Sequence, residues 1–446
     1  MAALQALPDE LLDLILAQVK DRHALDSLAR CSRRLSAISR RFYYHTVEIS
    51  RPDTLLALCR SLCSRPSLAG FVRNVKIEAS PLDRTINTSP TPRLATSPIH
   101  IRKADTKVFR RKLEDWQRRN GSPYTMIFDF SVNSREDTLM ALLLILMENI
   151  TSLDITFRHG PTYHRGPITK SLRTGSLTLD VLKRGGSSPM HQHGPLRKLK
   201  SLALRQRFDS APTEHHSGVS HMRACHLAAS LDALETLVIT STAAVVGTDL
   251  CHHNEKSSHE VLQFPRLRHL ELVEDVFHVN VRDLRHILSN VAPLESLKFQ
   301  PPINRNIDSN RAIRFNTTSL QLVLQPVAPW LQSLHISIPD TVYLQASHSL
   351  DLSDFVNLRR LEMPARLLLQ RPRGSEPPRR TSEDIPSLLP PLLRELKLTS
   401  CPIHIAPRKV QAKIPYLKCY FTYQLRRSRV RPPSADTSNR SSARTV

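Results

Sequence analysis

The chain has 446 residues, 40% of them hydrophobic and 23% charged, which is enough to bury a sizeable core and excludes wholesale disorder. Its 65 Leu against 13 Phe, 8 Tyr and 2 Trp make the packing aliphatic. The 11 Gly include neither GxGxxG nor GxxxxGK[ST], so nucleotide enzymes of those two classes drop out. The net charge of +23 resides in residues 20–41 (+5), 100–119 (+5), 366–380 (+4) and 404–446 (+9), and the remaining chain is balanced.

The opening MAALQALPDELLDL places acids where a secretory signal carries a basic start and an unbroken apolar run. The longest apolar run, Leu139 to Met147, is about half of what a helix needs to span a bilayer, so no membrane partner is expected. The seven cysteines (Cys31, Cys59, Cys63, Cys225, Cys251, Cys401, Cys419) are odd in number and form no CxxC pair. They read as reduced, mostly buried thiols of a cytoplasmic or nuclear protein.

Taken in chain order, the first fifty residues predict three short helices. Pro8 sits at a helix start, with Asp9 and Glu10 in the first turn where they complement the helix dipole. Leu11, Leu12, Ile15, Leu16 and Val19 follow at helical spacing. A second helix around Ala24 to Ala29 presents Leu25 and Leu28. A third carries Cys31, Leu35, Ile38 and Phe42 on one face, with Arg33, Arg34, Arg40 and Arg41 mostly elsewhere. So small a unit cannot bury all these faces by itself, and a partner surface is implied.

These residues resemble the F-box, the three-helix module that docks on the Skp adaptor of SCF-type ubiquitin ligases. The likeness covers residues 5 to 48: LPDELLDLIL, then ALDSLARCSRRLSAI, then Phe42, Tyr43 and Tyr44, with Leu35 where many members carry Trp. The resemblance implies an adaptor-binding face of Leu7, Pro8, Glu10, Leu11, Ile15, Leu16 and Leu28.

Further along, L-x-x-L-x-L with aliphatic substitutions recurs nine times, centred on Val75, Leu153, Leu202, Leu237, Leu270, Leu297, Leu334, Leu361 and Leu396. The steps from Leu270 to Leu297 and from Leu334 to Leu361 are 27 residues, within the range of leucine-rich repeats; longer steps would carry insertions. A degenerate tenth unit lies at Ile414, Leu417 and Cys419. Alternating apolar residues predict short strands with one buried face. Helices are predicted between them at Glu136–Glu148, Met222–Leu231 and Asn280–Val291. The expected fold class is therefore α/β, an irregular leucine-rich-repeat solenoid preceded by a three-helix module. Its expected boundaries are 1–50 for the helical module, 51–78 for a connecting helix and first repeat, 79–122 for a flexible Ser/Thr/Pro-rich and basic insertion, 123–424 for the repeats, and 425–446 for a disordered basic tail.

Within 100–119, Phe109, Leu113 and Trp116 share one helix face, which favours an amphipathic helix docking those residues over nucleic-acid contact. His215, His216, His221, Cys225 and His226, and again Cys251, His252, His253 and His259, cluster without the paired spacing of a structural zinc site; solvated loop histidines are expected, with no metal and no cofactor. No HExxH or GxSxG motif occurs, so an enzyme acting by itself is not expected.

The outward strand positions include Lys76, Arg205, Lys298, Arg360 and Lys397 against Glu78, Asp154, Glu271, Glu362 and Glu395. Their formal charge cancels, unlike a groove built for phosphates. Arg205, Glu271, Lys298, His335, Glu362 and Lys397 are the expected substrate-facing residues, the last five aligned across neighbouring strands. His335 would add pH sensitivity against an acidic partner group. The reading is a substrate receptor that binds the adaptor, and through it a cullin, at one end and a protein at its repeats. The alternatives are a repeat scaffold that binds the adaptor without ubiquitination, or a nucleic-acid-associated protein acting through its basic segments.

Overall fold

The computed structural model describes residues 6–19, 21–78, 101–119, 135–157, 178, 181–182, 196–206, 225, 228–241, 264–274, 281–291, 293–300, 314–315, 317–338, 343–344, 349–369, 388–401 and 416–423. In chain order these form α1 (Asp9–Gln18), α2 (Arg22–Cys31), α3 (Arg33–His45), β1 (Thr46–Ile49), α4 (Pro52–Ser64), β2 (Asn74–Glu78), α5 (Lys103–Arg119), α6 (Arg135–Leu146), β3 (Ser152–Phe157), β4 (Ser201–Gln206), β5 (Thr236–Ser241) and β6 (His269–Glu274). There follow α7 (Val281–Ser289), β7 (Ser296–Gln300), β8 (Arg314–Phe315), α8 (Thr317–Leu324), β9 (Ser333–Ile336), β10 (Tyr343–Leu344), β11 (Arg360–Pro364), α9 (Ala365–Leu369), β12 (Glu395–Cys401) and β13 (Lys418–Tyr423).

The protein is α/β. Eleven strands make one parallel sheet in which each strand pairs with the one before it in the chain, β8 and β10 excepted; those two pair with each other. Registry is kept along the central row, where Val47, Val75, Leu153, Leu202, Leu237, Leu270, Leu297, Leu334, Leu361, Leu396 and Cys419 lie side by side, and it shifts between β12 and β13 only past Leu398. Because a strand alternates its faces, the residue two positions on is buried as well, as Ile77, Ile155, Leu272 and Leu398 illustrate.

The buried pattern extends three residues upstream of the motif read from the sequence. Leu196, Leu199, Leu202 and Leu204, or Leu231, Leu234, Leu237 and Ile239, or Phe355, Leu358, Leu361 and Met363, are each buried. The first two of each set flank a tight turn: the amides of Leu199, Leu234 and Leu358 donate to the carbonyls of Leu196, Leu231 and Phe355, each at 3.0 Å. Just beyond this turn a single carbonyl accepts two amides from the next coil. Arg73 takes those of Thr151 and Ser152 at 2.8 and 3.0 Å, and Thr151, Lys200, Glu235, Arg268, Glu295, Gln332 and Arg359 repeat the arrangement. Backbone alone thus seats each coil on its predecessor.

The large core runs from Val47 to Leu417 on the face that the helices cover. Helix α6 is buried on every side, Leu139, Met140, Ala141, Leu142, Leu143 and Leu144 all at 1% exposure or less. It packs beside α4 and α5, which accounts for the longest apolar run of the chain without a membrane. Among the described residues no helix is long and apolar enough to cross one.

The N-terminal helices form a second, small core of Leu12, Leu16, Leu25, Leu35 and Ile38, with Leu7, Val19, Leu28 and Phe42 against it. Capping sets their limits: the Asp21 carboxylate accepts from the His23 amide at 3.0 Å, and the Ser32 hydroxyl from the Leu35 amide at 3.1 Å. Helix α3 runs directly into β1, Tyr44 packs against the large core, and the Arg22 guanidinium donates to the Thr46 carbonyl.

Two expectations are corrected. The helical unit ends at His45, since 46–49 belong to the sheet and bury Val47 and Ile49. Residues 103–119 lie inside the stretch bounded as a flexible insertion but form helix α5, the amphipathic helix that the spacing of Phe109, Leu113 and Trp116 favoured, and those three sink to 1, 0 and 3% exposure. The short pair β8 and β10 follows no repeat pattern. Residues 79–100, most of both histidine clusters and the tail from 424 lie outside the described residues.

Candidate interaction surfaces

Helix α1 is apolar on two faces. Leu12 and Leu16 point into the small core at 1 and 2% exposure, while Leu11, Leu14 and Ile15 stand outward at 46, 66 and 43%. Pro8 and Glu10 are also exposed, and Leu7 and Leu28 are half-buried against the core. Of the seven residues named for a docking face, Leu16 is therefore spent on the unit's own interior. Leu14, which was not named, is the most exposed of the three outward aliphatics. The signal for it was in the sequence: apolar residues at 11, 12, 14, 15 and 16 subtend more of a helix than one core-facing stripe needs.

Ion pairs hold the outward side of this unit to α1. Arg34 donates from Nε to Asp9 Oδ1 at 2.8 Å and from an Nη to the Leu7 carbonyl at 2.6 Å, while Arg41 pairs with Asp13. The basic residues of α3 so brace the start of α1 and leave its apolar ridge uncovered.

On the open side of the sheet the outward residues line up in strict register: Glu271, Lys298, His335, Glu362 and Lys397 occupy neighbouring strands β6, β7, β9, β11 and β12. They engage one another sideways. Lys298 Nζ lies 2.7 Å from Glu271 Oε1, and Glu362 is shared, one carboxylate oxygen 2.9 Å from His335 Nδ1 and the other 2.7 Å from Lys397 Nζ. Arg205 reaches across to Asp154 at 3.1 Å. Partial burial pushes the Glu362 carboxyl up, but the Lys397 hydrogen bond and the charges of His335 and Lys397 outweigh it and hold the group below the usual carboxylate range. The hydrogen bond from Lys200 does the same for Glu235 one row over.

All six residues expected on the substrate-facing side thus lie on the outward face, yet their charges are answered within the chain. Each such pair contributes about 0 to 1 kcal/mol, so the row defines a neutral, alternating surface more than it stabilises the fold. His335 finds its acidic neighbour in Glu362 of the same chain.

Of the five described cysteines, all free, two are buried, Cys63 and Cys419 are half-buried and Cys31 is exposed, so they are less buried than the sequence suggested. Cys59 and Cys225 are buried, and desolvation pushes the Cys225 thiol up to about 12 and that of Cys59 higher still. Among the described residues, no group of three or more His, Cys, Asp or Glu could hold a metal. No protein-family model matches the chain, and no curated protein matches it either.

Proposed function

We propose that the chain is the substrate-recognition subunit of an SCF-type ubiquitin ligase, with α1 to α3 as an F-box that docks on the Skp adaptor and the coils from β2 onward as a leucine-rich-repeat solenoid that holds a protein substrate. The observation that carries this reading is the second apolar face of α1. Leu11, Leu14 and Ile15 stand exposed although a small core lies one helix face away, and they fall inside LPDELLDLIL, the stretch that resembles the F-box. Completing the burial of side chains already half in solvent contributes about 1 kcal/mol each. Three together support a difference of about a hundredfold in affinity.

The second support is the sheet. Strands stacked in chain order, each seated on the last by a shared carbonyl, are what the L-x-x-L-x-L spacing asks for. In this role the chain performs no covalent chemistry; it supplies proximity and orientation to a catalytic partner.

The test is affinity purification of the full chain against Leu11→Glu with Ile15→Glu. Both side chains are outward, so the variant should fold normally. The expected result is loss of the Skp-type adaptor and its cullin with repeat-dependent partners retained; undiminished co-purification of the adaptor overturns the assignment.

A further inference from the structure

Exposed large apolar side chains gather again at the far end of the molecule. In the turns that precede β9, β11, β12 and β13, the outward positions hold Trp330, Val356, Leu392 and Tyr416 at 56, 48, 52 and 67% exposure. Strand register and the amides that Gln332, Arg359 and Arg394 accept set these coils side by side. Counted back from Leu334, Leu361, Leu396 and Cys419 of the central row, the four residues lie four, five, four and three positions upstream, so they form a staggered ribbon along the rim on four adjacent coils, about 14 Å long as three strand spacings of about 4.8 Å. The Asn357 side chain ties two of these turns together by donating to the Pro329 carbonyl at 2.6 Å. At the corresponding rim of earlier coils stand Asn149 and Lys198, which hydrogen-bond to each other at 2.7 Å.

Charge divides the rim in the same place. Upstream, the residues just before the strands pair across coils, Lys200 with Glu235 at 2.9 Å and Arg268 with Glu295 at 3.1 Å. Beside the ribbon, Arg359, Arg360, Arg394 and Lys418 are all exposed and have no ion-pair partner within 4.0 Å among the described residues. One acid, Glu395, stands in register between Arg360 and Lys418, so the rim keeps an excess of positive charge.

We infer that this rim is a docking strip for an extended partner segment that interleaves Asp or Glu with apolar side chains. The apolar ribbon would bury the hydrophobic residues, and the arginines beside it would meet the carboxylates. A second copy of the chain is a poor occupant, because it would bring one basic rim against another. Of the chain's own segments nearest in sequence, 370–387, 402–415 and 424–446 each carry more basic than acidic residues, and 339–342 with 345–348 hold a single acid, Asp340, so they would not neutralise it. A single nucleic-acid strand would meet the same cations and find rings at Trp330 and Tyr416, but Val356 and Leu392 between them offer none, so its bases could not stack in succession. Assigning the strip to a substrate rests on the receptor reading; binding of the segment itself needs no adaptor.

The test pans the full-length chain against a random-peptide phage library. Enriched sequences should mix acidic and apolar residues. A synthetic peptide of the enriched consensus should lose about tenfold or more in affinity for Arg359→Glu with Arg394→Glu, and also weaken against the uncharged variant Trp330→Ala. The inference is overturned by failure to enrich, by peptides that bind the charge-reversed chain as tightly as the wild type, or by an oligo-dT of equal length that binds more tightly than the peptide. Adaptor binding measured in parallel separates the two readings. Peptide capture by a chain that binds no adaptor keeps the strip and removes the receptor, and adaptor binding without peptide capture does the reverse.

Discussion

The N-terminal helices and the stacked coils solve the same problem differently. In the stack, every strand has a neighbour on each side but at the two ends, so each central Leu finds its row and the aligned outward charges find partners one coil away, as Lys298 finds Glu271 and Lys397 finds Glu362. Helix α1 has no such neighbour beyond α2 and α3: its inward face is satisfied by Leu25, Leu35 and Ile38, and its outward face by nothing in the described chain. Repetition answers a surface from within, and exposed apolar area then becomes informative where repetition stops.

The comparison can be broken most forcefully inside the stack. Leu334→Ala removes a side chain at 1% exposure from the continuous core and should cost about 2 to 5 kcal/mol, seen as a lower denaturant midpoint for the whole sheet. A loss under about 1 kcal/mol would mean the coils are not packed as one body. Leu12→Ala makes a similar cavity in a core of only five fully buried side chains. Its effect should be more local, a gain in protease cleavage within residues 9–45 while the sheet's transition moves by less than about 1 kcal/mol.

Smaller effects sharpen the contrast between the faces. Glu362→Gln should cost about 0.5 to 1 kcal/mol near neutral pH, since its pairs are partly exposed. Its folded-state pKa lies below the ordinary 4.5, so the ionised group's contribution is complete above that value and is lost as pH falls through the lowered one. The gap between wild type and variant should therefore close in acid, as urea midpoints at pH 7 and below pH 4 would reveal. Leu14→Ser should leave stability within about 0.5 kcal/mol of wild type, because the side chain is 66% exposed. A clear loss would show that α1's outer face is already covered. Deleting residues 426–446 should change the thermal midpoint least of all.

What could be read from the sequence is what repeats. Period-two alternation after an L-x-x-L step placed the central leucines and the charged row, and the wide apolar stripe Phe109, Leu113 and Trp116 announced the docked face of α5. Strand β1 escaped notice because Thr46–Ile49 follows a helix directly and lacks the upstream L-x-x-L step, so only its adjacency to β2 makes it a strand. The extra buried position before each turn was missed because its residue type varies, Leu196 in one coil and Phe355 or Val291 in others. The apolar rim went unnoticed because Trp330, Val356, Leu392 and Tyr416 all fall outside the apolar positions read for the L-x-x-L-x-L units.

The shared carbonyl before each strand bears on how such a chain can change over generations. It counts coils and is indifferent to residues: the step from Leu334 to Leu361 takes 27 positions and that from Val75 to Leu153 takes 78, yet both arrive at the same register. Closing the longer excursion costs only about 1 kcal/mol more in chain entropy. Insertion between strands is thus nearly neutral here, and new sequence can be spliced into any connection and tried for function without the register being renegotiated.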